Sequence, residues 1–136
     1  MTRFVVDTST TMTWCFDDEM TAATDVLRDR LRTTGAIVPV VWSLEVANAL
    51  LVAERRGRIT ASEATRLAHL LQSLPIAIDT NGATKVFGAV VELAREHNLS
   101  SYDASYLELA MRHGFPLATH DARLRTAATR AGVSLL

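Results

Sequence analysis

Cysteine is nearly absent from this chain: Cys15 stands alone. A disulfide framework and a cysteine-paired zinc site are therefore excluded. No apolar run approaches the roughly 18 residues of a membrane span. The opening stretch Met1-Thr2-Arg3-Phe4-Val5-Val6-Asp7 meets an acid too early for a signal peptide, so a cytoplasmic, soluble protein without a membrane role is expected. There is no charge surplus either. Fourteen Lys and Arg face fifteen Asp and Glu, a net −1 at pH 7, so the chain as a whole does not attract nucleic acid. Lys85 is the only lysine. Neither a linker nor an internal repeat is visible, and the motif HExxH is missing. The four histidines show no convergent spacing.

What is present is apolar material in quantity. Of 136 residues, 49% are hydrophobic, and the mean hydropathy is +0.14. That is enough for one domain, 1–136, with one core. Short apolar runs at Phe4–Val6, Ala36–Val41, Ile76–Ile78, Phe115–Thr119 and Val133–Leu136 read as strands. Helical stripes separate them: Ala22, Ala23, Val26, Leu27 and Leu31; Val46, Ala49, Leu50 and Ala53; Val86, Val90, Val91 and Leu93; Tyr106, Leu107, Ala110 and Met111. Thr8–Thr11 reads as a polar turn, and Arg95, Glu96 and His97 as an outward face. Ser43 is a candidate N-cap, and Thr60 with Glu63 forms a capping box. Alternating strands and helices predict an α/β fold, a short parallel sheet of four to five strands with helices on both faces.

The chemistry lies in where the acids fall. Ser100 and Asp103 stand three apart at a helix start. Taken singly, Asp103 is a first-turn acid favoured by the helix dipole. It also precedes Tyr106 by three and Leu107 by four, which sets it on the apolar stripe, where a carboxylate is costly unless its charge is met. Asp7 ends the first strand, Glu45 sits in the first turn of the helix after the second, and Asp121 follows the fourth by two residues. In a parallel sheet all four positions open at the carboxyl edge, where ligands bind. Clustered carboxylates raise one another's pKa, and a hard divalent cation with oxygen ligands, Mg²⁺ or Mn²⁺, removes that penalty.

The segments Val5–Ser9, Leu44–Leu50, Leu99–Leu107 and Leu117–Leu124, in this order, resemble the four motifs of PIN-domain ribonucleases, above all the VapC-type toxins of bacterial toxin–antitoxin pairs. The resemblance runs the length of the chain. It implies a PIN-like domain and Mg²⁺- or Mn²⁺-dependent hydrolysis of RNA, leaving a 5′-phosphate and a 3′-hydroxyl. It also implies a homodimer and inhibition by a cognate antitoxin protein. The residues carried over as catalytic and metal-binding are Asp7, Glu45, Asp103 and Asp121, with Ser9 and Thr119 as supporting hydroxyls. RNA would be held by cations at the rim, for which Arg55, Arg56, Arg58 and Arg123 are the candidates. Trp14 and Phe16 are read as core, and His120 as incidental.

Residues weigh against two rivals. A receiver-type phosphoacceptor domain needs a paired acid beside Asp7, where Thr8 and Ser9 stand, and a late lysine, whereas the only lysine, Lys85, falls in a helical stretch. A haloacid-dehalogenase-like phosphohydrolase needs a second Asp where Ser9 stands. A catalytically silent PIN-like binding module remains as the main alternative, with the receiver-type phosphoacceptor domain behind it.

Overall fold

The computed structural model describes residues 1–136. Strand β1 (Phe4–Val6) is flanked by β2 (Ala36–Val38) and β4 (Leu117–Ala118), and β3 (Ile76–Ile78) lies outside β2. Every pairing is parallel, giving the order β3-β2-β1-β4. The fifth strand expected at the C-terminal end is reduced to a single bridge, Leu117 to Leu135. β1 and β4 are wholly buried and β2 nearly so, as their unbroken apolar runs require, whereas β3 is an edge strand with Ile78 exposed.

The helices are α1 (Thr8–Thr13), α2 (Ala22–Thr34), α3 (Val41–Arg55), α4 (Ala61–Ser73), α5 (Val91–His97), α6 (Ser101–His113) and α7 (Ala122–Arg130). The Thr60–Glu63 capping box opens α4, Ser100 caps α6, and Gly35 leaves α2 at φ +72°. Trp14 and Phe16 belong to the core.

Several local expectations are overturned. Thr8–Thr13 is helical because Asp7 accepts a hydrogen bond from the Thr10 N–H and caps it. α3 starts at Val41 with no side-chain cap, so Ser43 lies inside the helix. On α2, Leu27 and Leu31 turn inward together with Thr24, while Val26 is 65% exposed. Met111 is 44% exposed because α6 buries Leu109 and Ala110 in its place. The expected long helix after Asn81 is a 3₁₀ turn (Gly82–Lys85) and a π-helical turn (Val86–Val90) leading into α5. That change of pitch buries Val90 but leaves Phe87 94% exposed. The His97 side chain, expected outward, is only 8% exposed.

After β1 the chain moves outward through β2 to β3, then returns to place β4 on the other side of β1. The gap between the carboxyl ends of β1 and β4 is thus the point where strand order reverses. Doubly wound sheets bind ligands there.

Candidate active site

Asp7 lies at that gap, 4% exposed. Its Oδ1 accepts from the Ser9 hydroxyl at 2.7 Å and the Thr10 N–H at 3.0 Å. Its Oδ2 accepts a short hydrogen bond from the Thr119 hydroxyl at the end of β4. Three donors hold this carboxylate in one place. Ser9 and Thr119, singled out as supporting hydroxyls, therefore both contact Asp7 directly.

Glu45, in the second turn of α3, is half-buried. Its Oε1 accepts from the Tyr106 hydroxyl at 2.6 Å and from the Thr8 hydroxyl at 3.2 Å. Tyr106 is 1% exposed, and its own pKa is driven upward by burial first and by Glu45 second. It stays a neutral donor. Thr8 and Tyr106 were not recognised in the sequence as site residues. Tyr106 sits on the apolar stripe of α6 and looks like core until its hydroxyl is placed.

Asp121 caps α7, its Oδ1 accepting from the Leu124 N–H at 2.9 Å. Its own N–H donates to the Thr119 hydroxyl at 3.0 Å. One threonine thereby links Asp121 to Asp7. Asp103 is held least. The Ser100 hydroxyl accepts from its N–H, while burial, and then the charges of Asp121, Glu45 and Asp7, push its carboxyl up to about 6; Ser100 alone works in the other direction. Asp103 thus senses the other three acids, and no cationic side chain figures among the groups acting on it.

The donor set, four carboxylates whose mutual repulsion shows on Asp103, suits a hard cation. As the side chains stand, however, no three of the Asp, Glu, His or Cys groups are gathered to hold one. Three of the acids, Asp7, Glu45 and Asp121, are already fixed by hydrogen bonds to their carboxylates, and Asp103 is the one left to adjust.

The candidate rim arginines scatter. Arg123, in the first turn of α7, is exposed at the site edge. Arg55 and Arg56 end α3, ten and eleven residues beyond Glu45, which places them roughly 15 Å down the helix axis. Arg58 is committed elsewhere. It pairs with Asp18 at 2.9 Å and Glu19 at 3.1 Å and lies 3.8 Å over the Phe16 ring. His120, read as incidental, joins the frame. Its N–H donates to the Ser9 hydroxyl at 2.9 Å, and its Nδ1 lies 2.8 Å from the Thr10 hydroxyl.

The PIN-domain family model matches residues 4–129. The chain belongs to the PIN-domain family. Ribonuclease VapC3 of Pyrobaculum aerophilum is 34% identical over 80 residues, a stretch covering 59% of this chain and 61% of that protein. The crystal structure of PAE2754 from Pyrobaculum aerophilum superposes with a TM-score of 0.71 at 26% identity, covering 98% of this chain and 83% of that one. The segments read in the sequence as resembling the family's motifs fall on β1–α1, α3, α6 and β4–α7.

Proposed function

We propose that this PIN domain is a VapC-type toxin: an endoribonuclease that hydrolyses RNA phosphodiester bonds and is held in check by a cognate antitoxin protein. The observation that carries the reading is the upward pull on Asp103, from burial first and then from three other carboxylates, at the switch point of the sheet. An uncompensated charge of that kind is expensive in a structural site and useful in a site that receives a cation.

Asp7, Glu45, Asp103 and Asp121 would hold Mg²⁺ or Mn²⁺, which when bound makes water more acidic and neutralises charge on the scissile phosphate. The protein's own part is positioning and proton handling. Ser9, Thr10 and Thr119 fix the Asp7 oxygens, while Tyr106 and Thr8 fix Glu45 Oε1. Glu45 or Asp103 would orient the attacking water and take up its proton. The exposed Arg123, two residues past Asp121, is the rim cation this reading assigns to the RNA. With RNA as substrate, the cytoplasm is the place of action; no helix is long and apolar enough to cross a membrane.

A homodimer is supported by one face. Leu44, Tyr102 and Val40 are exposed around an apolar hollow of about 430 Å³, beside the protruding Phe87. A knob next to a hole on one surface is self-complementary across a two-fold axis. Phe87→Glu is expected to shift the protein toward monomer in light scattering.

A catalytically silent module is the second reading, favoured by the unassembled ligand set. The deciding experiment is incubation of purified, antitoxin-free protein with a mixed RNA pool in Mg²⁺, Mn²⁺ or EDTA. Metal-dependent cleavage that vanishes in Asp7→Ala supports the ribonuclease. Neither cleavage nor metal binding supports the silent module.

A further inference from the structure

A cavity of about 570 Å³ lies between α2 and the β4–α7 turn. One wall is Thr10, Thr119 and His120, the residues that brace Asp7 or its partner Ser9. The facing wall is apolar, with Val26 and Leu27 of α2. Two arginines, Arg30 and Arg125, also line it, and no Asp or Glu side chain does. In a chain with more acids than bases, that is a local reversal of sign directly behind the acid cluster.

Neither arginine is neutralised. Every ion pair in the molecule involves other residues. Arg125 NH1 donates to the Thr119 carbonyl at 2.9 Å, which ties its guanidinium to the strand end that holds Asp7. Arg30 NH2 donates to the Thr2 carbonyl at 3.2 Å, and its guanidinium lies over the Phe4 ring at 5.7 Å. Its Nε is buried with no hydrogen-bond partner. An arginine held by backbone and ring, and engaged in no ion pair, retains donors for an anion.

We propose that this cavity receives a nucleotide of the RNA strand next to the scissile phosphate. Its phosphate is held by Arg30 and Arg125, and its sugar and base lie along Val26 and Leu27. The assignment rests on the ribonuclease reading and extends it, since a strand crossing the gap above Asp7 meets this cavity across Thr119 and His120. The volume falls in the range of small-ligand pockets. A cationic end and an apolar wall suit a phosphate-bearing nucleotide, and the placement beside Asp7 favours RNA over an acidic segment of a protein partner.

The test is fluorescence anisotropy with a labelled, randomised 2′-O-methyl oligoribonucleotide, which binds but resists cleavage, titrated over a salt series. Arg30→Gln/Arg125→Gln is expected to weaken binding about tenfold or more and to reduce the salt slope by roughly 0.7 per lost phosphate contact. Arg30 packs on Phe4, so a second variant guards against misfolding. Val26→Asp, at an exposed wall position, is expected to lose binding with an unchanged melting temperature. Wild-type affinity and slope in both variants would overturn the assignment, and if the wild type still cleaved RNA the ribonuclease reading would stand. Arginine-dependent binding without metal-dependent cleavage would uphold the cavity and overturn the ribonuclease. Variants that bind the oligonucleotide normally but no longer bind an acidic protein partner would overturn the RNA assignment.

Discussion

Two acid clusters lie in this molecule, and they are built on opposite principles. One joins Asp79, at the end of β3, to Glu108 on α6. Arg112 stands between them, with its Nε 2.9 Å from Glu108 and NH2 2.6 Å from Asp79. The Arg112 guanidinium is the main cause holding the Asp79 carboxyl below its usual range. Its own pKa is raised by the same two partners. Gly82 fits over this cluster because a Cβ there would meet Asp79 Oδ2 at 2.8 Å. The other cluster, Asp7, Glu45, Asp103 and Asp121, has no such arginine, and its least restrained member is pushed up to about 6. The lesson is chemical. A buried acid group that brings its own cation holds the fold together, and one that lacks it is arranged for something from outside.

The strongest way to break the first cluster is Arg112→Ala. The Asp79 and Glu108 side chains, 4% and 7% exposed, would lose their counter-charge at a cost of about 3–5 kcal/mol. A urea titration should show the midpoint falling steeply. The comparable change in the second cluster should leave folding intact and remove activity. Asp103→Asn is expected to cut RNA cleavage at least about a hundredfold while its melting curve stays cooperative. A smaller effect is predicted for Tyr106→Phe. It removes the 2.6 Å hydrogen bond to Glu45 but keeps the buried ring, so cleavage should fall roughly tenfold and stability by about 1 kcal/mol.

The smallest effect is the most discriminating, because the clusters respond to pH with opposite sign. Asp79 is lowered, so it contributes stability above its unfolded value that is lost as pH falls through the folded one. Asp103 is raised from 3.8 to about 6, so the fold is favoured while it is protonated. That advantage disappears as pH rises from about 4 through 6. Without metal, Asp103→Asn should therefore be more stable than wild type at pH 8, by about 1 kcal/mol once solvent screening is allowed for. Near pH 4 the gap should close. Melting temperatures of both proteins across that range in EDTA measure it, and added Mg²⁺ should shrink the gap at pH 8.

Much of this was legible in the sequence, and the gaps have physical causes. The strands around Phe4–Val6 and Ile76–Ile78 and the caps at Thr60 and Ser100 rest on short-range rules, and the structure follows them. The order of the four acids along the chain needed only the rule that parallel sheets open at one edge. The Thr8–Thr13 helix was hidden because threonine-rich segments look like turns until Asp7 caps them. The π-helical turn at Val86–Val90 has no local signal, and it decides which way Phe87 points. The reach of Tyr106 to Glu45, from α6 to α3, is a tertiary event on a residue whose spacing says core. Arg112 was passed over for the same reason. Its meaning lies in Asp79, thirty-three residues away.

The central claim is that the second cluster waits for a divalent cation. Titration of the Asp103 carboxyl by NMR, with and without Mg²⁺, tests it most directly. The account predicts a midpoint near 6 in EDTA, displaced downward by a unit or more when Mg²⁺ is added. A midpoint that does not move at saturating Mg²⁺ and Mn²⁺ would contradict it and leave the four acids without a ligand.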